Sequence, residues 1–236
     1  MTPYDRNKPL IFLHIPKMGG TSIRNLFQRA FGENLFLHYN EAIKSSGVLI
    51  GRQPGKLGWP EIEKLARLKP VCIYGHLRNS EGTGVGDFYP KATQFATVLR
   101  DPAEAVISSY FYTLRMIKDG TPLPMPHKSA NEWLEKVNSQ VFNPLPPEAG
   151  SDMRSFLKSR AVMVSTLVCL TNLSQFMRDH FSIDVAPPRL NESERSETVD
   201  PEVLKRWVSR NAQAVEFYAL VKEMEASQEP PPFAAA

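Results

Sequence analysis

The chain has 236 residues, of which 28 are Lys or Arg and 25 are Asp or Glu, so its net charge is +3. This length suits one large domain or two small ones with a full hydrophobic core, and no disulfides are needed to stabilise it. The apolar fraction of 42% and the charged fraction of 22% are typical of a globular protein. They argue against a disordered chain, a coiled coil and a collagen-like repeat.

Apolar runs and helical periodicity alternate along the chain. Short apolar runs predict strands buried on both faces, and apolar residues three or four positions apart predict helices. In the first half, the expected elements are strand 10–15, a turn at Gly19 and Gly20, helix 23–31, strand fragments and loop in 33–59, helix 60–68, strand 71–74 and a loop over 78–92. In the second half, they are strand 95–99, helix 102–118, an irregular proline-rich stretch over 119–150 with a short helix at 131–137, helix 151–160, strand 164–170, helix 172–181 and a helical region 200–225 with a break near Asn211.

Strands that alternate with helices predict an α/β fold, a P-loop-NTPase-like three-layer arrangement of a central parallel sheet flanked by helices. We expect one domain over 1–226 and a flexible C-terminal tail over 227–236.

Three features bear on where the protein works and on its partners. The charge is not gathered into a basic stripe, which argues against a nucleic-acid partner. Cys72 and Cys169 lie in apolar surroundings, which predicts two buried free thiols in a reducing compartment. No segment approaches the roughly 18 apolar residues of a membrane span. We therefore expect a cytoplasmic protein without membrane insertion, and its oligomeric state stays open.

The first candidate site lies where the first strand turns into a helix, in the sequence HIPKMGGTS from His14 to Ser22. Backbone N–H groups at such a turn bind anions, and glycines let the backbone approach the ligand. Lys17 adds a positive charge. A Walker A loop is excluded because its Lys follows the glycines, whereas Lys17 precedes Gly19 and Gly20. The alternative is a plain glycine turn with an exposed lysine.

The second candidate site is Arg100, at the end of a strand, together with Ser108 on the helix that follows. Ligands of open α/β sheets bind at this edge, and an Arg fork with a hydroxyl suits a terminal phosphate. The alternative is an Arg that pairs with a nearby carboxylate beside the helix cap Asp101. Together, the two sites predict a ligand with two separated anionic groups, such as a nucleotide phosphorylated at both ends.

These two motifs, HIPKMGGTS and TVLRDPAEAVISSYFY, resemble the family of carbohydrate sulfotransferases that includes heparan sulfate 2-O-sulfotransferase and bacterial relatives. The donor of that family is 3′-phosphoadenosine 5′-phosphosulfate (PAPS), and its product is 3′-phosphoadenosine 5′-phosphate (PAP). The resemblance implies that the 5′-phosphosulfate is held by Lys17, Gly19, Gly20, Thr21 and Ser22. It also implies that Arg100 and Ser108 hold the 3′-phosphate, with no metal required.

The resemblance extends over residues 10–220, with two departures in the donor motifs. Further matches are Gly75-His76, Val168-Cys169-Leu170-Thr171 and Leu190-Asn191-Glu192-Ser193. Met18 replaces the usual Thr or Cys, and Ala105 stands where many members carry a second Arg. The missing Arg puts in doubt any extra pairing within the helix.

His76 is the expected catalytic base, because it follows a strand directly and an ordinary histidine pKa suits proton transfer near neutrality. Lys17 would stabilise charge on the leaving phosphate. Glu81 and Asp87 are the reserve bases. We interpret His14 as structural, assign no partners to His38, His127 and His180, and favour helix packing for the aromatic run 110–112.

The sequence thus predicts in-line transfer of a sulfuryl group from PAPS to the hydroxyl of a carbohydrate or small-molecule acceptor. The acceptor is open, with candidate acceptor-facing segments at 33–59, 78–92 and 119–150. One alternative is a P-loop-type kinase of a nucleotide or small molecule. Another is a non-catalytic nucleotide-binding protein.

Overall fold

The structure is a computed structural model that describes residues 1–39, 58–78, 84–185 and 196–227, without the side chains of residues 20 and 21. A five-stranded parallel sheet forms its centre, and the spatial order of the strands is second, third, first, fourth and fifth. The strands are β1 (Leu10–Leu13), β2 (Leu35–His38), β3 (Cys72–Gly75), β4 (Gln94–Leu99) and β5 (Ala161–Thr166).

The helices occupy the connections between strands and the C-terminal third of the chain. The described residues form α1 (Gly20–Phe31), a 3₁₀ turn (Gly32–Asn34), α2 (Trp59–Ala66), α3 (Val85–Phe88), α4 (Pro102–Lys118), α5 (Ala130–Lys136), α6 (Pro147–Ser151), α7 (Met153–Ser159), α8 (Thr171–Phe181), α9 (Pro201–Arg210) and α10 (Ala212–Ala226). The predicted helices 102–118 and 172–181 are confirmed, as is the break near Asn211.

The alternation of side chains along the strands explains why helices cover both faces of the sheet. In β1, Leu10 and Phe12 pack against α1 and α8, whereas Ile11 and Leu13 pack on the opposite face with α2, α7 and α10. A smaller cluster, centred on Trp207, joins α4 to α5 and α9. The predicted three-layer α/β fold, a central parallel sheet flanked by helices, is confirmed.

The predicted range of the fifth strand was wrong. The apolar run suggested a strand over 164–170, but β5 ends at Thr166. The chain turns there, because the Leu170 N–H donates to the Thr166 carbonyl and Leu170 adopts a left-handed φ of 54°. Val168 is consequently 46% exposed. Cys169 is a free thiol but only half-buried, so of the two predicted buried thiols only Cys72 is buried.

The loop predicted over 78–92 contains the short helix α3, which begins after Gly84. Several predicted features lie outside the described residues: most of the segment 33–59, the reserve base Glu81, the Leu190–Ser193 motif and the tail from residue 228 onward. Over the described ranges, no helix has both the length and the apolar character needed to cross a membrane.

Candidate functional site

The turn between β1 and α1 has a backbone that only particular residues tolerate. Lys17 and Gly19 both adopt left-handed φ angles, of 67° and 77°. The left-handed φ favours glycine at position 19, and a Cβ there would also lie 2.8 Å from Cδ1 of Leu167, a side-chain end that would have to shift. This turn brings the first N–H groups of α1 to the carboxyl edge of the sheet, beside Lys17.

Three long helices begin at this edge, and α1 is the one whose N terminus has no carboxylate from the described residues. Asp101 caps α4 by accepting from the N–H groups of Ala103 and Glu104, each at 3.0 Å. The Glu225 carboxylate, which comes from α10, accepts from the Asn172 N–H in the first turn of α8 at 3.1 Å. In contrast, α1 has neither a side-chain cap nor an acidic residue in its first turn. Its free N–H groups and positive dipole end therefore favour an anionic ligand.

Lys17 lies in the same region and carries a positive charge that no described carboxylate neutralises. Its Nζ atom lies 3.6 Å from the ring centroid of Tyr112, a cation–π contact with α4. Burial lowers the pKa of Lys17 to about 8, and repulsion from Arg115 and then Arg100 contributes to the shift. The charges of Arg100 and Arg115 therefore both act on Lys17. Such a group of cations favours the binding of an anion.

Arg100 and Ser108 occupy the positions that the sequence analysis expected, at the start of α4. Arg100 follows the last residue of β4, and its Nη2 atom lies 3.5 Å from Oε2 of Glu104. Ser108 lies two turns along α4 and is only 6% exposed. This ion pair with Glu104 is the arrangement that the alternative interpretation predicts. Arg100 nevertheless still contributes to the lowered pKa of Lys17. A ligand phosphate would share Arg100 with Glu104.

Histidines follow three neighbouring strands at the same edge. His38 ends β2, His76 follows β3 and His14 follows β1. The His76 N–H donates to the His38 carbonyl at 3.0 Å, and the His14 N–H donates to the Gly75 carbonyl at 2.9 Å. Across the described ranges, no three His, Cys, Asp or Glu side chains are grouped closely enough to hold a metal ion.

The ring of His76 is enclosed by other rings. Its centroid lies 4.3 Å from that of His14 and 5.0 Å from that of Tyr39. Burial lowers the pKa of His76 to about 4, and a hydrogen bond that its ring donates to the backbone of His14 opposes this shift only in part. The position of His76 after a strand predicts an ordinary histidine pKa, and the pKa is lower because neighbouring rings enclose the imidazole. His76 is accordingly neutral at pH 7, which is the form that accepts a proton.

The other histidines have partners that the sequence did not reveal. Burial lowers the pKa of His14 well below its usual range, and the His14 Nδ1 atom lies 3.3 Å from the Tyr39 hydroxyl. His38, which had no predicted partner, shares a 2.6 Å hydrogen bond with the Tyr89 hydroxyl. The contact between His127 and Glu132 is longer, at 3.8 Å. His180 packs against the ring of Tyr4.

The remaining predicted site residues lie either in the first turn of α1 or at the start of α3. Gly19 and Gly20 form the start of α1, and Ser22 is exposed in its first turn. Thr21 belongs to the same turn, but its side chain is outside the described atoms. Asp87, a reserve base, accepts a hydrogen bond from the Gly84 N–H at 2.8 Å and so caps α3.

Two residues at this edge, Tyr112 and Arg115, were not selected from the sequence. The aromatic run was expected to pack within the protein, and Tyr110 and Phe111 do so with 2% and 6% exposure. Tyr112 is 37% exposed and contacts Lys17 instead. A signal existed, because Ser108, Tyr112 and Arg115 have the i, i+4, i+7 spacing of one helix face.

Glu225 is the third residue that the sequence analysis missed. It is 2% exposed, and its carboxylate accepts from the hydroxyls of Ser165 and Thr166 at 2.5 Å and from the N–H groups of Thr166 and Asn172. Nothing in the local sequence distinguishes it from a surface glutamate. These bonds fasten α10 to the end of β5 and to the start of α8.

Comparison with known proteins gives a likeness among solved structures. No protein-family model and no curated protein sequence matches the chain. A crystal structure of mouse sulfotransferase SULT7A1 complexed with PAP is similar over 97% of this chain and 70% of that chain, with 13% sequence identity and a TM-score of 0.45.

Proposed function

We propose that this protein transfers a sulfuryl group from PAPS to a hydroxyl of a carbohydrate or small-molecule acceptor. The proposal rests on one observation above all: α1 begins without a carboxylate, beside a lysine and an arginine that follow the neighbouring strands β1 and β4. Free N–H groups, the uncompensated charge of Lys17 and an arginine that a ligand would share with Glu104 fit a ligand that carries phosphate and sulfate groups.

The residues present fit the two ends of the donor separately. The N–H groups at Gly19, Gly20, Thr21 and Ser22, together with the ammonium of Lys17, would hold the 5′-phosphosulfate. Arg100 and the nearly buried Ser108 would hold the 3′-phosphate. Glu104 keeps the Arg100 guanidinium at the start of α4, where that phosphate would lie.

The donor supplies an activated sulfuryl group and a phosphate leaving group. His76 would accept the proton of the acceptor hydroxyl, because its ring is neutral at pH 7 and lies at the end of β3 next to β1. Lys17 would place its positive charge where negative charge accumulates on the departing phosphate oxygen. The rings of His14 and Tyr39 hold the His76 ring in place and limit the access of water.

The experiment begins with binding and then measures transfer. PAP is titrated into the protein by calorimetry in the presence of EDTA, and labelled PAPS is then incubated with a panel of carbohydrate and small-molecule alcohols and read by mass gain. Lys17→Met should abolish detectable transfer, whereas Lys64→Met, which removes an exposed lysine from α2, should leave it unchanged.

Three outcomes would contradict the proposal or one of its parts. Tight binding of Mg·ATP with no binding of PAP would favour the kinase interpretation instead. Binding of PAP without transfer to any acceptor, together with unchanged PAP affinity in His76→Ala, would favour a non-catalytic nucleotide-binding protein. Near-normal transfer by Lys17→Met would remove the role given to the β1–α1 turn.

A further inference from the structure

Ser108, Tyr112 and Arg115 form a stripe along α4. Arg115 adds a positive charge to this stripe, farther along the helix than the residues assigned to the donor. The three residues of the stripe lie on one face of the helix at i, i+4 and i+7. Arg115 is exposed, and its Cζ atom lies 5.4 Å from the ring centroid of Tyr112, whose ring also carries the Lys17 ammonium at 3.6 Å. One aromatic ring therefore has two cations beside it.

This pair of cations lacks an acidic partner. Neither Lys17 nor Arg115 lies within 4 Å of a carboxylate in the described ranges, where the ion pairs use Lys8, Arg100, His127, Arg160, Arg178 and Arg206. Two like charges next to each other oppose folding, unless a bound anion offsets the repulsion. The arrangement therefore suits an oxyanion held between Lys17 and Arg115, over the edge of Tyr112.

Position along α4 separates this oxyanion from the donor's 3′-phosphate. Arg115 is seven residues beyond Ser108, which corresponds to about 10 Å along the helix axis. A ligand group near Arg115 is thus separated along α4 from a phosphate held by Ser108, so we assign it to the acceptor and not to the donor's 3′-phosphate.

We propose that Lys17, Tyr112 and Arg115 form a second oxyanion site, which binds a sulfate, phosphate or carboxylate group of the acceptor. This inference rests on the proposed function, because it takes the β1–α1 turn as the place of the donor. Arg115 binds the acceptor's anionic group directly, and Tyr112 is a positioning residue that holds the Lys17 ammonium toward it.

The test uses inorganic sulfate as the probe in protein saturated with PAP, with chloride as the control salt at equal ionic strength. Arg115→Gln is compared with Lys118→Gln, because both variants remove one positive charge from the last turn of α4. Losing a charge-assisted contact should weaken sulfate binding in Arg115→Gln by about tenfold or more, while its PAP affinity stays within about twofold of the wild type. Lys118→Gln should change neither constant.

A second pair of variants tests the ring. Tyr112→Phe keeps the cation–π contact and should retain the wild-type sulfate affinity, whereas Tyr112→Leu should weaken it by about three- to tenfold. Equal effects of the two Tyr112 substitutions would contradict the positioning role.

The outcomes also distinguish a specific acceptor site from a bulk charge effect and from the donor site. Equal sulfate affinities in Arg115→Gln and Lys118→Gln would overturn the proposal, because only the bulk charge would then matter. Loss of sulfate binding when PAP is present, with weakened PAP binding in Arg115→Gln, would place Arg115 in the donor site and overturn the assignment to the acceptor. If the wild type fails to bind PAP, the proposed function fails, and sulfate binding to the PAP-free variants still decides whether the cluster binds an oxyanion.

Discussion

Binding of PAP should be accompanied by uptake of a proton, because Lys17 changes its electrostatic surroundings when an anion arrives. In the free protein, burial and the charges of Arg115 and Arg100 lower the pKa of Lys17 to about 8. A phosphate beside the ammonium opposes the repulsion from both arginines and favours the charged form, so the pKa of bound Lys17 should rise toward its ordinary value of 10.5. The free lysine is therefore partly deprotonated at mildly alkaline pH, and the bound lysine is not.

The expected number of protons follows from these two pKa values. Free Lys17 is about 90% protonated at pH 7, about 50% at pH 8 and about 25% at pH 8.5, whereas bound Lys17 is about 99% protonated at all three. PAP binding should consequently take up about 0.1, 0.5 and 0.75 protons. Its affinity should also fall as the pH rises above 8, because the protonated lysine becomes the minority form.

The assay is calorimetric titration of PAP in buffers with different ionisation enthalpies, since the slope of the binding enthalpy against the buffer enthalpy gives the number of protons. Phosphate buffer is avoided because it would compete for an anion site. Lys17→Met should show no uptake in this pH range, and Lys64→Met should match the wild type. Uptake that does not change between about pH 7 and 8.5, or that persists in Lys17→Met, would refute the argument.

Four further predictions concern stability and the pH dependence of the reaction. Lys17→Met should raise the Tm of the ligand-free protein below about pH 8, since a cation whose pKa is depressed by folding opposes folding while it is charged; an unchanged Tm would contradict the charge argument. Gly19→Ala should lower the free energy of unfolding by about 1–2 kcal/mol in urea titrations for its left-handed φ alone, and adding Leu167→Ala should recover only the part due to the steric contact. Glu225→Ala should cost about 3–5 kcal/mol, because buried donors lose their acceptor, and a loss below 1 kcal/mol would mean that the bonds to Ser165 and Thr166 are replaced by water. If His76 is the base, kcat/KM should stay flat from about pH 7.5 down to about pH 5.5, and an inflection near 6.5 would show that its ring titrates as an ordinary histidine.

The sequence was sufficient for the fold because each element carries its own local pattern. The run of apolar residues in β1 predicts burial on both faces, and the Asp101-Pro102 pair marks the start of α4 at the residue where it begins. The error at β5 has the same origin, since periodicity could not separate strand residues from the apolar turn that follows Thr166. That turn is determined by the left-handed backbone of Leu170 and by contacts with distant residues such as Leu99.

The candidate site was predictable where one strand end supplies both the turn and the side chain, as it does for Lys17, Arg100 and His76. Tyr112 and Arg115 were less visible, because their roles depend on how the β1–α1 turn lies across α4. The lowered pKa of His76 depends on rings that come from three separate segments of the chain. Such quantities arise from tertiary packing, and no local pattern in the sequence encodes them.

The distribution of carboxylates at the sheet edge is the strongest physical indication of what the site binds. Asp101 and Glu225 supply negative charge to the N termini of α4 and α8, and each of them also stabilises the fold. At α1 the same electrostatic need is left unmet, although an acidic residue in its first turn would be stabilising there. The fold instead places Lys17 beside that helix end, which adds repulsion where an acid would have added stability. An anionic ligand of more than one charge would both satisfy the free N–H groups and offset the repulsion at Lys17, so binding of such a ligand would also stabilise the folded protein.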